Sequence, residues 1–113
     1  MGNGRQYRER ERGAQEHSHQ LHALREKWPL AFPVRDQDVR PLSLNVARQI
    51  AATMGWSAPY THGVLKPWKQ TASYCRAVLC YDHRITLDGA PAETVDAAAR
   101  DLAARELAKK KAA

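Results

Sequence analysis

Basic and aromatic side chains alternate through the middle of this chain: Tyr60, His62, Lys66, Trp68, Lys69, Tyr74, Arg76, Tyr81 and Arg84 fall in one stretch. Cations neutralise phosphates and rings stack on unpaired bases, a combination suited to single-stranded or hairpin RNA. Trp68 and Tyr81 equally suit a small core, where aromatic side chains dominate, and the core reading is the simpler one for each. Charge is distributed in the same sense. Segment 59–86 sets Lys66, Lys69, Arg76 and Arg84 against one acid, Asp82, whereas residues 87–113 carry five basic and five acidic side chains. The whole chain has a formal charge of +6 and a pI near 9.7, the range in which nucleic acid becomes a natural partner.

Other chemistries find less support. His17, His19 and His22 lie close together, but no carboxylate or cysteine completes a recognisable ligand set, so neither metal nor cofactor is expected. No Gly-rich phosphate loop, GxSxG, HExxH or CxxC pattern is present, and the chain reads as non-enzymatic. Cys75 or Cys80 with His83 would make a nucleophile pair, yet both cysteines fall in one predicted helix where packing is the better reading. Their spacing of five puts them on different faces, so no disulfide between them is predicted.

The elements that must position these residues are few. A chain of 113 residues and 12.7 kDa, 43% hydrophobic with a mean hydropathy of −0.64, builds one modest core and excludes a large multidomain enzyme. No apolar run approaches the roughly 20 residues of a membrane span, and the polar, Arg-rich start lacks a secretory signal's apolar segment. The expectation is a soluble, cytoplasmic monomer with a flexible arm at 1–13, a folded domain at 14–108 and a short basic tail at 109–113. A first helix is predicted from Ala14 to Trp28, with Leu21, Leu24 and Trp28 inward and Pro29 as its stop. An extended WPLAFPV segment then lays Trp28, Leu30 and Phe32 on the core, and Asp36–Asp38 forms an exposed turn.

The second helix follows Arg40-Pro41-Leu42, with Ser43 as N-cap, Leu44, Ala47, Ile50, Ala51 and Met54 as its buried stripe, and Gly55 as its end. Ser57 and Pro59 start a third helix from about Ala58 to Leu65, which Pro67 ends or kinks. Gln70 or Thr71 opens a fourth helix through Tyr74, Ala77, Val78 and Leu79. Arg84 to Leu87 alternates as a short strand before the tight-turn pair Asp88-Gly89, which would bury Ile85 and Leu87 and turn Arg84 and Thr86 to solvent. Asp96 caps a long Ala-rich final helix whose lysines sit at the C-terminal end, where the dipole favours them.

Trp28-Pro29-x-x-Phe32, then Arg40-Pro41-Leu42 and a helix, then Tyr74 ten residues before Arg84, then Leu87-Asp88-Gly89-x-Pro91 and an Ala-rich helix form an ordered series. Over about residues 21–107 this series resembles the ProQ/FinO domain of bacterial RNA chaperones. The resemblance implies a compact, mostly α domain of about five helices with a small β-hairpin. It also implies binding of small regulatory RNAs and mRNA 3′ ends at intrinsic-terminator hairpins, in post-transcriptional regulation, with a single-stranded 3′ uridine tail in a concave pocket. The pocket Tyr and Arg of that family fall at Tyr74 and Arg84, and the helix beginning at Ser57 would lie against the duplex backbone.

An Arg can bridge phosphate and ribose oxygens, a Tyr hydroxyl can bond a terminal hydroxyl, and a helix start offers N–H groups to phosphate. Arg40, Lys66, Lys69, His62 and Arg76 complete the candidate RNA-binding set. Ser43 and Ala58 stand where relatives can carry a basic residue, and Lys66, Lys69 and Arg76 could compensate. With no long basic extension, the chain resembles a minimal, single-domain member. Two rivals come from other classes. A DNA-binding module using the third helix would prefer duplex DNA, but a short, Pro-interrupted segment suits groove reading poorly. A protein-interaction adaptor with a basic face would not co-purify with RNA.

Overall fold

Leu24 and Leu21 recur at helical spacing, and the computed structural model, which describes residues 19–112, runs a helix (α1) over residues 19–27 of that range. Leu24 is fully buried and Leu21 packs at the edge of the core. The predicted arm at 1–13, His17 and the start of this helix at Ala14 lie outside the described residues. Beyond α1 the chain does not extend as expected. The Trp28 N–H donates to the Leu24 carbonyl at 2.8 Å and the Phe32 N–H to the Trp28 carbonyl at 3.0 Å. The spacing of inward residues is therefore that of a coiled turn, which buries Ala31 and Phe32 and leaves Leu30 62% exposed, correcting its placement on the core. A short 3-10 turn, Asp36–Asp38, is wholly exposed, in line with the turn expected there.

Helix α2, Val46–Met54, has Asn45 at its N-cap position and so begins two residues later than a Ser43 cap would have started it. The Ser43 hydroxyl accepts from the Asn45 N–H at 3.3 Å but donates its own proton to Glu93 at 2.7 Å, so it ties the loop to the hairpin instead of capping the helix. The rest of the expected stripe holds, with Ile50 buried, Ala47 and Met54 packed against the core and Ala51 half-buried, while Val46 is buried and Leu44, outside the helix, is exposed. Gly55 closes α2 at φ +70, a left-handed value that glycine adopts without strain.

Helix α3, Ala58–Lys69, continues through Pro67 where an end or kink near Leu65 was expected. A proline there deprives the Gly63 carbonyl of its partner, but Gly63 and Pro67 both face solvent, which can satisfy that oxygen. Leu65 and Trp68, on the inner face, hold the last turn to the core, with Trp68 meeting Phe32 edge-on at a centroid distance of 5.6 Å. The core reading of Trp68 is thus the correct one. Thr71 caps α4, Ala72–Cys80, by accepting from the Tyr74 N–H at 3.2 Å.

Strands β1, His83–Ile85, and β2, Pro91–Thr94, form an antiparallel hairpin. Its turn is closed by the Gly89 N–H on the Thr86 carbonyl at 3.0 Å, with Gly89 at φ +87 beneath the side chain of Leu30. Leu42 adds a parallel bridge on the other edge of β1: the Ser43 N–H donates to the Ile85 carbonyl and the Ile85 N–H to the Pro41 carbonyl, both at 2.8 Å. Asp96 caps α5, Ala97–Ala112, through the Ala99 N–H at 2.8 Å, and α5 packs along α4. The result is the mostly α fold with a small two-stranded sheet that the sequence predicts, five helices among the described residues.

Candidate functional site

Tyr74 and Arg84 come from α4 and β1, and the main chain of one residue, Leu42, fixes both. The Leu42 N–H donates to the Tyr74 hydroxyl at 3.0 Å, and the Leu42 carbonyl accepts from Arg84 Nη1 at 3.2 Å. Because Leu42 is itself held parallel to β1, its main chain sets the distance and orientation between the two side chains. They line the base of a cleft of about 240 Å³, walled by the end of α3, by α4 and by α5.

Arg84 is only 8% exposed, which corrects its expected solvent-facing orientation. Alternation along β1 does hold: Arg84 lines the cleft with α4 and α5, while Ile85 faces the hollow lined by Pro29 and Leu30. Both faces of the strand are covered, so pointing away from Ile85 does not mean pointing into water. The register also slips here, His83 pairing with Thr94 and Ile85 with Pro91, so two steps along β1 face three along β2. Such a bulge re-aims side chains at a sheet edge.

What the pair can do follows from its unspent hydrogen-bonding capacity. The Tyr74 oxygen accepts from Leu42, which leaves its O–H free to donate. Burial pushes the Tyr74 phenol above its ordinary value, outweighing the Leu42 bond and the Arg84 charge, so the group keeps that proton. Arg84 Nε is buried and has no partner among the described residues. A buried, unpaired guanidinium donor is costly unless a ligand completes it.

Lys69 stands at the mouth of the same cleft, its ammonium held below the ordinary lysine value by burial first and by the Arg84 charge second. The cleft continues along α3 past Lys66 to His62, with Leu102 and Glu106 of α5 opposite. One turn further back, Ser57 caps α3 by accepting from the Tyr60 N–H at 3.2 Å. Pro59 has no N–H and that of Tyr60 is bound, so this helix start offers phosphate fewer amides than most. The structure thus joins Tyr74, Arg84, Lys69, Lys66 and His62 along one surface that leads toward Ser57. The other two candidates lie elsewhere. The Arg40 guanidinium stacks 4.0 Å from the Tyr81 ring centroid, and Arg76 lines a separate hollow with Asp36 and Tyr81.

Sequence reasoning missed Leu42, whose contribution is its main chain, and the α5 wall formed by Ala99, Leu102, Ala103 and Glu106. It placed Cys75 in packing, and Cys75 is indeed buried, but its thiol lies against the cleft, 3.7 Å from the Lys69 carbonyl. Burial pushes that thiol above its ordinary value, with the Glu106 charge adding to the effect. Cys80, by contrast, is exposed. Among the described residues no group of three metal-ligating side chains comes together.

The family model described as ProQ/FINO family matches residues 14–113. The chain belongs to the ProQ/FINO family. No curated protein matches it. Membership in this family of RNA-binding, non-enzymatic chaperones makes RNA binding the general role of the chain. Among the described residues no helix is long and apolar enough to cross a membrane. Tyr74 and Arg84, singled out in the sequence by resemblance, are the two side chains that the Leu42 main chain holds together at the base of the cleft.

Proposed function

We propose that this ProQ/FINO protein binds RNA hairpins that end in a single-stranded 3′ uridine tail, on small RNAs and mRNA 3′ ends, and so acts in post-transcriptional regulation. In this reading residues 14–108 form the RNA-binding domain, working as a monomer in the cytoplasm. The terminal nucleotide enters the cleft, where Arg84 Nε and the Tyr74 hydroxyl donate to phosphate and ribose oxygens. Lys69, Lys66 and His62 follow the backbone of the tail, and the stem lies toward the start of α3 at Ser57. The observation that carries the reading is the unpartnered Arg84 Nε beside a free Tyr74 proton, both fixed by the Leu42 main chain at the base of one cleft.

The test is a pair of hairpins with one stem, with and without the 3′ tail, titrated at fixed salt. Loss of the tail removes one or two charge-assisted bonds and weakens binding by about 1–3 kcal/mol. Equal affinity for the blunt hairpin refutes the reading. Stronger binding to duplex DNA than to the tailed RNA would do so as well.

A further inference from the structure

Glu93 stands on β2, outside the cleft, and its side-chain bonds run across the sheet to another segment. β2 pairs with one edge of β1 and Leu42 bridges the other, so β1 lies between Glu93 and the residues it holds. Its Oε1 accepts from the Ser43 hydroxyl at 2.7 Å and its Oε2 from the Leu44 N–H at 3.4 Å. Those are the two residues that follow Leu42, whose N–H and carbonyl hold the Tyr74 hydroxyl and Arg84 Nη1. The Glu93 carboxyl is kept below its ordinary value, first by the Ser43 hydroxyl and last by the Arg84 charge, so at neutral pH it is an anion within reach of that guanidinium.

The main-chain pairing of this segment is short. Two bonds at 2.8 Å tie it to Ile85, Pro41 has no N–H with which to continue the ladder, and α2 takes the chain away at Val46. A single bridge gives little resistance to a slip or twist, yet a site built from two fixed donors needs them placed to within about 0.5 Å. A negative charge near Arg84 also opposes the approach of phosphate. What Glu93 holds, and not its charge, is therefore its contribution to RNA binding.

We propose that Glu93 is a positioning residue: by fixing Ser43 and Leu44 it sets the Leu42 main chain, and through it the relative placement of the Tyr74 hydroxyl and the Arg84 guanidinium. The proposal rests on the reading of the cleft as a 3′-end site, and Glu93 itself does not touch RNA. Its two effects have opposite signs. Loss of the acceptor oxygens loosens the site and weakens binding of a tail, whereas loss of the charge favours binding of any RNA.

The experiment titrates wild type, Glu93→Ala and Glu93→Gln with the tailed and the blunt hairpin at fixed salt, well below each melting transition. The Arg84 Nε–H NMR signal of each RNA-free protein is recorded alongside. Both variants remove the same charge, but glutamine keeps an acceptor oxygen for Ser43 and alanine keeps none. Glu93→Ala should lower the ratio of tailed to blunt affinity by about fivefold or more, the scale of coupling within one hydrogen-bond network, while its affinity for the blunt hairpin does not fall. Glu93→Gln should keep a ratio near that of wild type, and the Arg84 signal should differ between the two variants. Equal ratios in the two variants overturn the positioning role, because only charge is then at work. An equal loss on both hairpins in Glu93→Ala overturns it too, because the effect is then on the whole fold. A wild type that does not distinguish the hairpins overturns the 3′-end reading instead. The Arg84 signals then decide the placement alone, and coincident signals in the two variants overturn it.

Discussion

Replacing Arg84 by lysine separates charge from geometry at the base of the cleft. Lysine keeps the positive charge but has one ammonium in place of a planar fork, so it cannot both bond the Leu42 carbonyl and present a second fixed donor. The effect on stability is bounded by the Nη1 bond to Leu42, at 3.2 Å in a buried setting. A hydrogen bond to a charged group contributes about 1.5–3 kcal/mol, and a lysine amine recovers part of it, which leaves a loss of about 1 kcal/mol. For a domain of this size that lowers the thermal midpoint by about 4–8 °C.

Loss of the Nε donor to RNA costs binding another bond of the same kind, so affinity for a tailed hairpin should fall roughly tenfold to a hundredfold. Filter binding well below both melting transitions keeps the two effects apart. The slope of log affinity against log salt should stay unchanged, since the phosphate-neutralising charge is retained. Full affinity in Arg84→Lys would show that Arg84 acts as a diffuse charge and that the tail does not end in this cleft. An unmoved midpoint would show that the Leu42 clamp contributes nothing to the fold.

The double variant Lys66→Ala, Lys69→Ala should lower affinity for the tailed hairpin and flatten its salt dependence by roughly one to two phosphate contacts, measured by titration across a salt series. The Glu93 carboxyl is held below its ordinary value of 4.5, first by the Ser43 hydroxyl, so it stabilises the fold fully above that pH and progressively less as pH falls through its folded-state value. Ser43→Ala should therefore reduce the thermal midpoint at neutral pH and flatten its decline on acidification; identical pH profiles for the two proteins would contradict this. At Gly89, φ is +87 and an added Cβ would stand 2.8 Å from Leu30 Cδ1, so Gly89→Ala should destabilise by about 1–2 kcal/mol in denaturant unfolding, mostly from the backbone because exposed Leu30 can move aside.

The parts of this molecule that were legible in advance are those written in side-chain chemistry along a single element. Ser57, Thr71 and Asp96 each accept from an amide three residues on, and each was readable as a polar residue before a helix. Gly55 and Gly89 mark the two positive-φ positions, again from residue type alone. The errors arise where a second element decides the outcome. Ser43 has the composition of an N-cap, but Glu93, fifty residues away, takes its hydroxyl proton and draws it out of α2. Leu30 obeys a two-residue period on paper, while the Phe32 to Trp28 hydrogen bond imposes a helical one.

Arg84 shows the limit most clearly. Its side of β1 follows from alternation, but whether that side meets water depends on α4 and α5, and nothing local to the strand reports their position. The same holds for Leu42. A leucine in a sequence announces a buried side chain, which Leu42 has, and says nothing of where its N–H and carbonyl point. Those two groups hold Tyr74 and Arg84, so the juxtaposition of the pair in space depends on a third segment pairing with β1. A change that shifted residues 41–43 relative to β1 would therefore separate the tyrosine from the arginine with both side chains intact. The site belongs to that pairing as much as to the two residues that would touch RNA.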